Sequence, residues 1–184
     1  RIIIGTRGSA LARTQALIIR RLLLERNPSL TIDISYLKTE GDIDRHSPLS
    51  RFGGRGAFVR TLENALLRRE IDIAVHSLKD LPSRLPEGLA LGAVPVRGDP
   101  RDVLITHGGR NLQSLPIGAI ISTGSERRRI QLAAMRPDIR FRDIRGNIET
   151  RILKVGSEGV DGVVLAYAGL KRLGIESRAE QVFS

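Results

Sequence analysis

The feature that most constrains this chain is a segment that occurs twice. IIIGTRGSALARTQAL, beginning at Ile2, and AIISTGSERRRIQLAA, beginning at Ala119, share one plan. Each reads as an apolar strand, a turn of small residues and a helix with arginine in its first turns. A second match follows in the same order. Arg55-Gly56 opens a helix that ends at Asp72 before an apolar strand, and Arg145-Gly146 opens one that ends at Asp161. Two matches in order imply an internal duplication. Strands alternating with helices imply α/β architecture. In such folds helix N-termini follow strand C-termini, where free N–H groups and the helix dipole favour an anion. Two lobes are therefore expected, 1–96 and 97–184, with anion sites facing a cleft and a crossover at 97–101.

Periodicity supplies the elements of each lobe. Strands are expected over 2–5, 30–37, 71–76 and 89–96, and helices over 9–26 and 58–69. The second lobe is expected to carry strands over 119–122, 139–144 and 162–166, and helices over 126–135 and from Arg145-Gly146 to about Val155. Residues 40–56 are polar and glycine-rich and read as a loop.

The charge is +10, and of 30 basic residues only Lys38, Lys79, Lys154 and Lys171 are lysine. Arginine's planar fork suits carboxylate and phosphate, although a compositional bias toward arginine would produce the same total. Aromatic residues are 3% with no Trp, which leaves few stacking platforms for nucleic acid, so a small polyanion is the expected ligand. There is no Cys, and the three histidines are scattered, so thiolate chemistry is excluded and a metal site is not expected. No apolar run reaches membrane-spanning length, and Arg1 leads straight into a strand, so neither a span nor a signal peptide is expected. The expected compartment is the cytosol.

Several motifs carry chemistry, each with a bland counterpart. Gly5-Thr6-Arg7-Gly8-Ser9 sets an arginine and a hydroxyl at a helix start, where Ser9 also reads as an ordinary cap. Ser125-Glu126-Arg127-Arg128-Arg129 puts three cations where the helix dipole disfavours them, a pattern expected where a multivalent anion offsets it. The alternative is a solvated basic face. His76-Ser77-Leu78-Lys79-Asp80 brings a carboxylate to a strand end, suited to stabilising a cation or managing a proton; otherwise Lys79 and Asp80 form a turn-starting ion pair. Gly53-Gly54-Arg55-Gly56 lacks the Lys-Ser/Thr of a P-loop and reads as a lid.

Taken together, IGTRGSALARTQA, LSRFGGRGAFVRTLENALL, DIAVHSLKDLP, RGDPRDVLI, RRRIQLAAMRPDIRFRDIRGNIETRI and LAYAGLKRLG resemble the hydroxymethylbilane synthase (porphobilinogen deaminase) family. The resemblance implies two lobes like type II periplasmic binding proteins, lobe one for substrate and catalysis and lobe two for cofactor and growing chain. It implies condensation of porphobilinogen head to tail, with release of ammonia, on a dipyrromethane cofactor. By the same resemblance Asp80 is the catalytic acid, and Arg7, Ser9, Arg145, Arg151 and Arg172 hold substrate carboxylates. Ser77, Lys79, Thr123, Ser125, Arg127 and Arg128 line the cofactor, and Arg51, Arg55 and Phe58 belong to the lid. Expected partners are porphobilinogen and pyrrole polycarboxylates, without metal, membrane or nucleic acid, and the expected state is a monomer.

Departures from the family pattern add further expectations. The family attaches its primer to a third-domain cysteine that this sequence does not contain, so a two-domain portion, inactive alone, is expected. Gly124 and Glu126 replace a usual Ser and Leu beside the arginines, and Glu126 adds a competing anion. The reading from a different class is a non-catalytic anion-binding module.

Overall fold

The computed structural model describes residues 1–38, 59–157 and 159–184. It divides into two units, Arg1–Val96 and Arg97–Ser184, each built on its own sheet. The α/β class expected from the alternation is the one observed.

In the first unit, β1 (Ile2–Arg7) lies between β2 (Ile32–Leu37) and β3 (Ile73–Ala74), and both pairings are parallel. A central parallel strand is covered on both faces, so its residues are apolar in succession rather than alternately. Ile2 and Ile4 pack with Ala16, Ile19 and Leu23 of α1 (Ala10–Arg26). Ile3, on the opposite face, packs with Leu62 and Ala65 of α2 (Arg60–Leu67). Gly5 permits this closeness. A Cβ there would overlap the Ile71 side chain and lie 3.1 Å from Leu62 Cδ2.

The second unit has five strands, β4 (Asp102–Thr106), β5 (Ile120–Ser122), β6 (Arg140–Arg142), β7 (Gly162–Ala166) and β8 (Gln181–Val182). Their order is β6-β5-β7-β4-β8, with β6, β5 and β7 parallel and β4 antiparallel to both its neighbours. Leu132 of α3 (Glu126–Met135) packs with Leu104, Ile121 and Val164 on one side. Ile152 of α4 (Ile148–Leu153) and Leu170 of α5 (Tyr167–Leu173) pack with Val103, Ile105, Val163 and Leu165, which form the other cluster.

The duplication read from the sequence reappears in the hydrogen bonding. Asp72 gives its N–H to Ile3 O at 2.9 Å, and its Oδ2 accepts the Ile3 N–H at 2.7 Å. Asp161 repeats both bonds with Ile120, at 2.9 and 2.7 Å.

Several expectations need correction. No strand forms over 89–96, and residues 90–96 are exposed. Their apolar residues suit a strand, but a strand exists only where a neighbour meets its N–H and C=O groups, and the described sheet of this unit holds only β2, β1 and β3. The strands expected over 71–76 and 139–144 shorten to β3 and β6, and the helix after Gly146 shortens to α4. Strands β4 and β8 and helix α5 had no counterpart among the expected elements. The loop expected over 40–56, with Arg51 and Arg55, and Phe58 lie outside the described residues.

Candidate functional site

Each sheet gathers its polar residues at the C-terminal ends of its parallel strands. In the first unit Arg7 ends β1, and Ser9 caps α1 by accepting the Ala12 N–H at its Oγ, 3.3 Å away. The bland reading of Ser9 is therefore realised, but the cap uses only a lone pair, and the hydroxyl keeps a proton to donate. Thr6, fully buried, donates its Oγ–H to Ala12 O at 3.2 Å and ties the strand end to the helix. No acidic residue occupies the first turn of α1, so its N-terminal N–H groups keep their preference for an external anion.

Asp80 reaches the same end by another route. After β3, Val75 N–H bonds Gly5 O at 3.0 Å, and the chain closes a 3-10 turn at Leu78–Asp80 with Asp80 N–H on Ser77 O at 2.9 Å. Ser77 Oγ accepts the Gln15 side-chain N–H at 2.9 Å, which ties this turn to α1. His76 lies among these groups. Burial pushes its pKa below the usual value, the Asp80 carboxylate opposes that, and Arg7 reinforces it. Arg7, His76 and Asp80 thus share one electrostatic neighbourhood.

In the second unit β5, β6 and β7 end at one edge, and antiparallel β4 begins there. Thr123 is buried, gives its N–H to Arg142 O at 3.0 Å, and accepts the Ser125 N–H at Oγ1 at 3.2 Å. That turn sets Ser125 as the first flanking residue of α3, with its hydroxyl making no bond to the helix.

The three arginines that follow have different surroundings. Arg127 is exposed. Arg128 grips Asp102, the first residue of β4, with Nε on Oδ2 at 2.8 Å and Nη2 on Oδ1 at 2.6 Å, and Nη1 reaches Val164 O at 3.1 Å. Arg129 pairs with Asp143 and gives a second bond to Thr123 O at 3.2 Å, with Glu126 3.9 Å away. Two of the three cations are thus paired within the unit, and Arg127 is the one that stays exposed. Asp102, the first residue of β4, and Asp143, which follows β6, offset two of the charges.

The remaining expected residues follow β6 and β7. Arg145 is half-buried after Ile144, and Gly146 adopts a φ of 110° that turns the chain into α4. Asn147 caps that helix by accepting the Thr150 N–H at 2.8 Å, and Arg151 Nε folds back onto Gly146 O at 2.8 Å. Arg172 lies on α5 beside Gly98, where an added Cβ would sit 3.6 Å from its Nη2. Nearby, Arg101 and Lys171 hold Asp99 at 2.7 and 3.1 Å and flank the Tyr167 ring. The Arg101 guanidinium keeps the Asp99 carboxyl well below the usual carboxylate range.

The structure therefore brings Arg7, Ser9, Ser77, Lys79 and Asp80 to one strand-end edge of the first unit. It brings Thr123, Ser125, Arg127, Arg128, Arg145, Arg151 and Arg172 to the corresponding edge of the second. Sequence reasoning assigned no role to Gln15, His76, Asp102 or Asp143. The signal available was the place of all four in stretches that carry the family resemblance, IGTRGSALARTQA, DIAVHSLKDLP, RGDPRDVLI and RRRIQLAAMRPDIRFRDIRGNIETRI.

The donor set fits a polycarboxylate such as dipyrromethane. In the second unit hydroxyls on Thr123 and Ser125 accompany cations on Arg127 and Arg128, and the Ser125 hydroxyl makes no helix-capping bond; in the first unit Ser77 and Lys79 supply a hydroxyl and a cation. A covalent link has no thiol here, because the chain contains no cysteine. Among the described residues no group of His, Asp and Glu is arranged to hold a metal ion, and no helix is long and apolar enough to cross a membrane.

Residues 2–184 match the family model described as porphobilinogen deaminase, dipyromethane cofactor binding domain. The porphobilinogen deaminase of Syntrophus aciditrophicus is 50% identical over 97% of this chain and 58% of its own length. That of Bacillus velezensis is 48% identical over 93% of this chain and 55% of its own length. The chain thus spans somewhat more than half the length of these relatives. Among solved structures, an ABC transporter periplasmic substrate-binding protein from Coxiella burnetii matches at 14% identity and a TM-score of 0.46, covering 100% of this chain and 80% of that one.

Proposed function

This chain belongs to the porphobilinogen deaminase family, and from that premise we propose that it forms the substrate- and cofactor-holding part of a hydroxymethylbilane synthase. In this reading porphobilinogen units are joined head to tail with loss of ammonia. The first unit, 1–96, carries the catalytic acid, and the second, 97–184, carries the cofactor and the growing chain.

The observation that supports this most is the placement of Asp80. Its turn stands at a strand-end edge and is tied to α1 through Ser77 and Gln15, and its carboxylate acts on His76, which Arg7 also reaches. Departure of ammonia from porphobilinogen leaves positive charge spread onto its pyrrole nitrogen. A fixed carboxylate beside that N–H stabilises the charge and accepts a proton at an Oδ. Arg7 and the Ser9 hydroxyl then orient the substrate's acetate and propionate, with the α1 N-terminus adding its dipole.

The second unit does the complementary work. Thr123, Ser125, Arg127 and Arg128 would hold the dipyrromethane by its carboxylates, while Arg145, Arg151 and Arg172 receive carboxylates added as the chain grows; Ser77 and Lys79, also read as cofactor residues, belong to the first unit. When bound, that group supplies the pyrrole carbon to which the incoming unit is joined. A cytosolic, monomeric protein is part of this proposal.

The reading is tested by calorimetry with a pyrrole polycarboxylate and by turnover. The chain should bind the polycarboxylate, and more weakly at higher salt. Lacking a thiol, it should not convert porphobilinogen by itself. Binding without turnover, even when joined to a cysteine-bearing remainder, would favour a simple anion-binding module. Tighter binding of duplex DNA than of pyrroles would overturn both.

A further inference from the structure

Of the three arginines that open α3, Arg128 has an arrangement that a plain helix-to-sheet tie does not require. Its guanidinium offers five N–H groups in one plane. The side-on fork, Nε and Nη2, lies on the two oxygens of Asp102 at 2.8 and 2.6 Å, and Nη1 lies on Val164 O at 3.1 Å. These bonds fix the position and plane of the group from the β4 and β7 side. One N–H on Nη1 and one on Nη2 have no partner among the described residues. Side-chain exposures of 17% for Arg128 and 30% for Asp102 leave the pair partly open to ligand.

The charges matter as much as the geometry. Asp102 cancels the formal charge of Arg128, so this arginine attracts anions weakly at a distance and discriminates by orientation at contact. Arg127, exposed beside it, has the opposite character. A planar carboxylate can use two coplanar N–H groups at once, and a fixed plane favours it over a tetrahedral or spherical anion.

We propose that Asp102 is a positioning residue: it holds Arg128 in the one plane that accepts a ligand carboxylate and so gives the second unit its selectivity for carboxylates over other anions. The proposal rests on the reading of this edge as a polycarboxylate site. A carboxylate is required at position 102, because an amide would present N–H to N–H at one arm of the fork.

The experiment is a double-mutant cycle in the full chain. Binding of a dipyrromethane bearing acetate and propionate groups, and separately of inorganic phosphate, is measured by calorimetry. Asp102→Asn should weaken dipyrromethane binding about tenfold while leaving phosphate binding unchanged or stronger. In an Arg128→Ala background the same change should have no further effect. Asp102→Glu, which keeps the charge, should recover part of the loss, and it carries the cycle if Asp102→Asn does not fold. A loss of equal size in both backgrounds, or a parallel loss for phosphate, overturns the positioning role and leaves the polycarboxylate site standing. Failure of the unmutated chain to bind the dipyrromethane removes the site itself, and the proposal with it.

Discussion

Asp72 and Asp161 do the same work in the two sheets. Each gives its N–H to the first parallel strand of its unit and takes an N–H of that strand on Oδ2, at 2.7 Å in both cases. Removing the carboxylate leaves a strand N–H without its acceptor. Asp72→Ala and Asp161→Ala should each lower stability by about 1–3 kcal/mol. The loss should be larger at Asp161, whose bond is part-buried, than at Asp72, whose bond is exposed. Urea denaturation of the two variants checks the order.

Asp80 is expected to matter for rate rather than for folding, since the bond that closes its turn, Asp80 N–H to Ser77 O, does not involve the carboxylate. In an enzyme that carries these two units with a cysteine-bearing remainder, Asp80→Asn should lower kcat by on the order of 10² with little change in Tm. Asp80→Glu should keep more activity than Asn. Single-turnover rates and thermal midpoints from the same preparations check this, and a stable Asn variant with near-normal turnover would exclude the role.

Gln15 is expected to act through this turn. Gln15→Ala removes the 2.9 Å bond to Ser77 Oγ and loosens the segment that carries Asp80. Turnover should fall several-fold, less than for Asp80→Asn, with unchanged affinity for ligands held by the second unit. A fall in that affinity as well would contradict a local effect.

Burial holds the His76 pKa below the usual 6.5, so the folded chain binds a proton there less readily than the unfolded chain. The unfolded state then carries more protons as pH falls below about 6.5, and stability drops over that range until the folded pKa is reached. His76→Gln should remove that part of the pH dependence. Denaturant midpoints between about pH 7 and pH 5 test it, and identical slopes for the two proteins would refute it.

Gly5→Ala should destabilise the first unit by about 1–3 kcal/mol, because the new methyl group meets Ile71 and Leu62. Those residues are 3% and 0% exposed and have nowhere to move. A thermal midpoint within error of the parent would show that α2 can shift as a body.

The sequence by itself determined whatever depends on local order. The two strand–turn–helix segments, the capping position of Ser9 and the strand-end placement of Arg7, Asp80, Arg127 and Arg145 were all legible, because periodicity and turn chemistry act over a few residues. Tertiary structure decided what depends on partners far along the chain. Asp102 and Arg128 are 26 positions apart and Gln15 and Ser77 are 62 apart, so no local pattern pairs them. Strand β4 went unread for a related reason: its place between β7 and β8 is set by residues 56 or more positions further on. Residues 89–96 fail in the opposite direction, with a strand-like pattern and no neighbour in the described sheet. A strand is a property of a pair, and hydrogen-bond partners and counter-charges are chosen by which surfaces the packed core brings together.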